Sequence, residues 1–236
     1  MRIIKTLVLF ISFGSLNYGV MAQDLNPLTT SAFFKRPVIG KSYVAPAIGN
    51  GSPYLVENWT SGYVVLTSND TVVLKYMRFD CLKNELVWTK EGQIPISIDP
   101  DFIKEFGLKT NPNLTERRFE RTTLKLPLIT DTMVRFLEIL VKGSLKLYAL
   151  RNIAVDNELV PGRGLRYLPV YKPETVFYLQ IGNLPMKRIK IKKRSLTDAY
   201  PEYAEQIEQI LHSKHYGQIR KEYQLVESVK LINDNW

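Results

Sequence analysis

Cysteine is nearly absent from this chain of 236 residues, which contains only Cys81. A single cysteine cannot form an internal disulfide, so the stability of the fold has to come from the burial of apolar side chains. We expect Cys81 to be a small buried residue of a strand, because free cysteine is usually buried and inert. A reactive thiol is the alternative role for this residue.

Long apolar runs are missing after residue 22, and none approaches the ~20 residues that a membrane-spanning helix requires. We therefore expect no transmembrane span once the predicted leader is removed. The chain also lacks a Gly-x-Ser-x-Gly nucleophile elbow and a complete Gly-x-x-x-x-Gly-Lys-Ser/Thr phosphate loop. Because these catalytic signals are missing, we expect no cofactor and keep catalysis only as an alternative.

The first 22 residues carry the features of a secretory signal peptide. Arg2 and Lys5 give a basic start, residues 7–11 form an apolar block, and Ala22 is a small residue at the expected cleavage site. A membrane anchor is the alternative, but polar and glycine residues dilute the apolar stretch that follows the block. We therefore predict an exported protein that is periplasmic or secreted.

The formal charge of the chain is +9, and two of its cations lie in the predicted leader. A basic exported protein meets anionic envelope surfaces more often than nucleic acid, although a moderate excess of cations can simply aid solubility. We therefore expect no nucleic-acid partner.

Beyond residue 51 the apolar side chains recur with a period of two, which is typical of strands. Turn signals at residues 69–70, 142–144 and 182–183 separate the alternating runs and predict antiparallel hairpins. In residues 72–77 both faces carry apolar side chains, which predicts a strand covered on both sides. The pattern predicts a mainly β (α+β) fold whose antiparallel hairpins form a sandwich or partial barrel.

The regions that flank this β domain have different patterns. Residues 23–51 are rich in Pro, Ser, Thr and Gly, which predicts an irregular N-terminal arm. After residue 192 the period becomes helical, which predicts two or three short helices. The predicted organisation is a signal peptide at 1–22, the arm at 23–51, an antiparallel β domain at 52–192 and a helical C-terminal appendage at 193–236.

The most distinctive feature of the mature chain is a basic run at residues 187–194. Ile189 and Ile191 alternate with cations, which predicts a strand with one apolar and one cationic face. The cationic face would suit phosphate or carboxylate groups of an envelope polymer. The alternative is an edge strand whose lysines block aggregation. The candidate binding residues in this run are Lys187, Arg188, Lys190, Lys192 and Lys193.

A second candidate contact region is the polar loop at residues 156–168, which places cations beside an aromatic residue. Such loops often make ligand contacts, and a merely flexible loop is the alternative. The candidate binding residues here are Arg163, Arg166 and Tyr167.

Two further sets of residues are candidate sites of chemistry. His212 and His215 lie three residues apart in the predicted tail, with Glu208 one turn earlier, and could begin a zinc site. Solvent-facing histidines near a helix end are the alternative, and we predict no metal site. The acidic residues concentrate at turns, where Asp in particular is expected for structural reasons. A pair of these carboxylates that hydrolyses glycans is the alternative.

Several short motifs resemble those of a recurrent family of exported, β-rich proteins from Bacteroidota-type Gram-negative bacteria. The motifs are Gly-Ser-Pro-Tyr-Leu at 51–55, Leu-Lys-Tyr at 74–76, Asn-Glu-Leu at 84–86 and Gly-Gln at 92–93. The similarity covers most of residues 49–232, although the arginine-rich stretch at 114–125 departs from the pattern. The resemblance implies export, a β-rich body and no assigned activity, so it carries over no catalytic residue.

The sequence as a whole predicts a non-enzymatic binding module of the cell envelope. Its expected partner is an envelope protein or an anionic polymer. The alternatives are a carboxylate-dependent glycan hydrolase and a structural subunit that pairs through a sheet edge.

Overall fold

The computed structural model describes residues 39–91, 93–110, 116–125, 132–160, 166–213 and 217–236. Within these residues the chain forms eleven strands and three α-helices. The strands are β1 (Gly40–Ser42), β2 (Thr60–Leu66), β3 (Thr71–Asp80), β4 (Glu85–Trp88), β5 (Ile96–Ile98), β6 (Ile103–Leu108), β7 (Arg117–Lys125), β8 (Thr132–Val141), β9 (Leu145–Val160), β10 (Arg166–Ile181) and β11 (Lys187–Ile189).

All eleven strands belong to one sheet, in the order β1-β5-β4-β3-β2-β6-β7-β8-β9-β10-β11. Every neighbouring pair is antiparallel. Most neighbours are consecutive in sequence, because short turns can join antiparallel strands directly. The structure thus confirms the mainly β fold and its antiparallel hairpins, and it places all of the hairpins in one continuous sheet.

The three helices are α1 (Lys193–Ala199), α2 (Ala204–Ser213) and α3 (Glu222–Asp234). They pack against the β8–β11 end of the sheet through apolar residues at helical spacing, among them Ile207, Leu211, Leu225 and Val229. The predicted helical tail is therefore confirmed. Within the described part of the chain, none of the helices has the length and apolar character needed to cross a membrane.

The other end of the sheet encloses a separate core built around four phenylalanines. Phe79, Phe106, Phe119 and Phe136 come from four different strands, and each is at most 2% exposed. Phe106 and Phe119 stack with ring centroids 4.8 Å apart. Cys81 is buried in the same cluster, and this burial raises the pKa of its thiol to about 12. The thiol therefore stays protonated, as expected for a packing residue.

A chain of charges connects the middle strands to helix α3. Arg117 Nε and Nη2 donate to the two oxygens of the buried Glu138 at 2.5 and 2.6 Å. Arg151 Nε donates to the same carboxylate at 2.6 Å, and its outer nitrogens donate to Glu222 on α3 at 2.6 and 2.8 Å. The network joins β7, β8, β9 and α3 around one carboxylate.

The described part of the N-terminal arm pairs with strands near both ends of the sheet. Its strand β1 pairs with β5, and Asn50 forms an isolated parallel bridge with Val170 on β10. Tyr43 Oη donates to the buried Asp80 at 2.6 Å, and Tyr171 Oη donates to the carbonyl of Ala47 at 2.6 Å. The arm is mostly irregular, yet it is attached to the body through specific side chains.

The Tyr43–Asp80 hydrogen bond predicts how firmly the arm is held. Burial and, to a smaller extent, this hydrogen bond raise the pKa of Tyr43 above its ordinary value, so the phenol remains a donor. We expect Tyr43→Phe to make local opening of β1 easier by about 1.5–3 kcal/mol, the usual contribution of a hydrogen bond to a charged group. Amide hydrogen exchange of residues 40–42 measures this change.

The matched control is Val44→Ala, because Val44 is 75% exposed. This variant should leave the exchange rates of β1 unchanged. Equal protection in Tyr43→Phe and the unaltered chain would show that the hydrogen bond does not hold the arm.

Candidate anion-binding surface

The basic run turns away from the sheet after three residues. Strand β11 ends at Ile189, which is buried, and helix α1 begins at Lys193. The Ser195 hydroxyl accepts the Lys190 N–H at 3.2 Å and donates to the Lys192 carbonyl at 2.9 Å. These local bonds stabilise a turn in place of further strand pairing. The predicted strand is therefore correct only up to Ile189.

The cations of the run also face different directions. Lys187 Nζ lies 5.5 Å from the ring centroid of Tyr200, on the side that carries the helices. Arg188 is exposed on the opposite side, near Tyr178. Burial raises the pKa of Tyr178, and the Arg188 charge partly offsets that rise. Lys187 and Arg188 thus do not share one face, because successive strand residues alternate.

Two open clefts adjoin the turn and share Lys193. The larger has a volume of about 700 Å³ and lies between α1 and α2. It is lined by Lys193, Arg194, Thr197, Glu208, Gln209, His212 and Ser213. The smaller has a volume of about 430 Å³ and lies between the turn and the chain that leads into α3. It is lined by Ile191, Lys192, Lys193, Gln218, Ile219 and Arg220.

The lysines of this region lack acidic partners. Within the described ranges, no carboxylate oxygen lies within 4.0 Å of Lys190, Lys192 or Lys193. Arg194 pairs with Asp198 at 3.5 Å, where both side chains are well exposed, so this pair contributes little. The charges therefore add to a local positive potential that can attract anions. We call Lys190, Lys192, Lys193 and Arg220, with the two clefts, the Lys193 surface.

The second predicted contact region lies elsewhere. Arg163 falls outside the described residues, and Arg166 begins β10 with a side chain that is also outside the description. The predicted loop at residues 156–168 is wrong at both ends, because residues 156–160 belong to β9 and residues 166–168 to β10. Tyr167 is 63% exposed and pairs across the hairpin with Leu159. Tyr178, the strand partner of Arg188, lies on the same strand as Tyr167. The usual rise of a strand residue puts about 35 Å between Tyr167 and Tyr178. The two regions do not form one site.

Sequence reasoning missed Arg220 and Gln218 as cleft residues. They lie 24 and 26 positions after the end of the basic run, and the packing of α3 against the sheet brings them to the smaller cleft. His212 and Glu208 both line the larger cleft, but His215 falls outside the described residues, so the zinc alternative has no test. Among the described side chains, no group of three or more potential metal ligands converges.

Glu138 is not suited to be the general acid of a glycan hydrolase, which is the enzymatic alternative for this chain. Burial raises the pKa of Glu138, but the hydrogen bonds and charges of Arg117 and Arg151 outweigh it, so the net pKa is lowered. A general acid needs a raised pKa, which keeps it protonated near neutral pH. Glu138 is therefore suited to a structural role.

Comparisons with protein-family models, with curated proteins and with solved structures returned no match for this chain.

Proposed function

We propose that this chain is an exported protein of the bacterial envelope that binds an anionic polymer through the Lys193 surface. The observation that carries the proposal is the group of three lysines without acidic partners beside two clefts. The leader-like residues 1–22 support export, to the periplasm or beyond the cell. Membership of the Bacteroidota-type family that the motifs resemble is part of the same proposal.

The size and charge of the surface suit a polymer that carries repeated anionic groups. Clefts of about 300–1,000 Å³ hold small ligands, so each cleft can receive one unit of such a chain. Each exposed lysine near an anionic surface contributes about 1 kcal/mol of binding free energy. The proposed activity is therefore moderate, salt-sensitive retention on phosphate- or carboxylate-bearing polymer, without catalysis.

Pairing through a sheet edge is the alternative. The two terminal strands, β1 and β11, have only three residues each, and short edge strands limit edge-to-edge association. Strand β11 pairs only with residues 177–179 of β10, however, so within the described residues the 166–176 part of β10 has an open edge apart from the isolated bridge at Val170. We base the proposal on the charged surface because its lysines have no acidic partners there.

Reversing three charges tests the proposal. In the variant Lys190→Glu, Lys192→Glu, Lys193→Glu, we expect affinity for an anionic matrix to fall about tenfold or more, because three attractive groups become repulsive. The measurement is the salt concentration that elutes the folded protein from the matrix.

A control variant separates the local surface from net charge. Lys75→Glu, Lys90→Glu, Lys109→Glu makes the same change of charge at three exposed lysines outside the basic run. This control should elute at a distinctly higher salt concentration than the first variant. Identical elution of the two variants would contradict a specific Lys193 surface and leave only a net-charge effect.

A further inference from the structure

Arg78, on the outer face of β3, contacts two aromatic rings. Its guanidinium carbon is 4.4 Å from the centroid of the Tyr54 ring and 4.3 Å from that of Trp59. A guanidinium over an aromatic face is attracted by the ring quadrupole, and two such contacts restrict its movement. The side chain is only partly buried, so an anion can approach the group.

The charge of Arg78 has no counter-ion among the described residues. No carboxylate oxygen lies within 4.0 Å of its guanidinium. Its Nε is buried without a hydrogen-bond partner. Asp80, two residues further along the strand, is already occupied, because its oxygens accept the Lys83 N–H at 2.9 Å and the Tyr43 hydroxyl at 2.6 Å. A firmly held cation is thus left without an anion.

A bulge in β3 is what turns Arg78 outward. Strict alternation from the buried Leu74 would direct residues 76 and 78 into the core. Instead Tyr76 has φ 58°, the register with β2 shifts, and Met77 and Phe79 become the inward residues. A left-handed backbone is strained for a tyrosine, and bulges commonly re-aim side chains at functional positions.

We propose that Arg78, Tyr54 and Trp59 form a binding site for the carboxylate of an acidic saccharide. The edge of a guanidinium offers parallel N–H donors that match a planar carboxylate. A tetrahedral phosphate would direct further oxygens towards the electron-rich ring faces, which repel negative charge. The rims of the two rings provide apolar surface for the sugar C–H groups. Six strands of the sheet separate β3 from β11, so this site is distinct from the Lys193 surface.

Titration of the folded chain with sodium D-glucuronate tests the site. We expect a saturable shift of the Arg78 Nε–H resonance in NMR spectra, with no such shift for glucose. The affinity for inorganic phosphate should be lower by about tenfold or more, because phosphate is not planar and cannot match the guanidinium edge. Absence of a saturable shift with glucuronate would overturn the proposal, as would equal affinity for phosphate or glucose.

Variants distinguish the effect of the paired N–H donors of Arg78 from the effect of its charge. Arg78→Lys keeps the charge but loses the fork, so glucuronate affinity should fall about tenfold, whereas Lys75→Ala on the same strand should not change it. Unchanged affinity in folded Arg78→Lys would overturn the proposal. If that variant does not fold, the resonance titration of the unaltered chain decides. The variant with Lys190, Lys192 and Lys193 reversed should still bind glucuronate, so failure of this site and failure of the Lys193 surface are distinguishable.

Discussion

Replacing Glu138 with alanine is expected to lower the free energy of unfolding by about 3–5 kcal/mol, because it leaves Arg117 without its anion and Arg151 with Glu222 alone. Glu138 accepts hydrogen bonds from both Arg117 and Arg151, and all three side chains are largely buried. The Arg117 guanidinium would keep its desolvation cost without the compensating attraction, and Arg151 would lose part of its own. Urea unfolding measured by circular dichroism gives the change directly.

The control for this variant is Glu174→Ala, since Glu174 is an exposed carboxylate on β10. Its removal should change the free energy of unfolding by no more than about 0.5 kcal/mol. A loss below about 1 kcal/mol for Glu138→Ala would show that water or rearrangement already compensates the two arginines.

The pH dependence of stability provides a check on the same network. The pKa of Glu138 is lowered in the folded state, so the folded carboxylate releases its proton more readily than the unfolded one. Its contribution is therefore complete above the unfolded value of about 4.3 and is lost as pH falls through the lower folded value. The stability difference between the unaltered chain and Glu138→Gln should accordingly shrink on acidification below about pH 4.

Replacing Phe106 with alanine is expected to cost about 3–5 kcal/mol, the range for deleting a large aromatic side chain from a packed core. Phe106 is fully buried, and its ring centroid lies 4.8 Å from Phe119, 5.2 Å from Phe136 and 5.4 Å from Phe79. The rings come from separate strands, so the cavity would loosen several strands together. Thermal and urea unfolding both report the loss.

Phe102 supplies the matched control, because its side chain is 41% exposed next to β6. Phe102→Ala should cost less than about 1 kcal/mol, since the residue leaves little new cavity. Similar losses for the two variants would contradict the assignment of Phe106 to the centre of this core.

The fold class could be predicted from the sequence because strand and helix periods are local signals. Turn residues at 69–70, 142–144 and 182–183 do separate hairpin strands, and the helical period after residue 192 does mark three helices. Both patterns reflect which side chains face a core, and that requirement acts within each element. The continuous order of all strands in one sheet is a non-local property that these patterns do not contain.

The bulge at Tyr76 explains one wrong prediction. Apolar residues on both faces of residues 72–77 predicted a strand covered on both sides, yet Val73 is 77% exposed. The irregular backbone at Tyr76 resets the alternation, so Leu74 and Met77 face inward together. A bulge depends on the register with the neighbouring strand, which the periodicity of one segment does not reveal.

The candidate site was predicted only in part for a similar reason. The basic composition of residues 187–194 identified Lys190, Lys192 and Lys193, whereas the Ser195 turn that ends the strand depends on side-chain bonds to the backbone. Arg220 reaches the same surface through helix packing. The contacts of Arg78 with Tyr54 and Trp59 likewise require the chain before β2 to pack against β3. Contacts between distant segments were thus the missing information.

The most direct test of the anion-binding account is lysine footprinting of the folded chain. The protein is acetylated with and without an acidic polysaccharide, and the modification of each lysine is quantified by mass spectrometry. We expect the polymer to protect Lys190, Lys192 and Lys193 and to leave the exposed Lys90 and Lys109, which lie outside both proposed sites, unprotected. Uniform protection of all exposed lysines, or no protection at residues 190–193, would contradict the account.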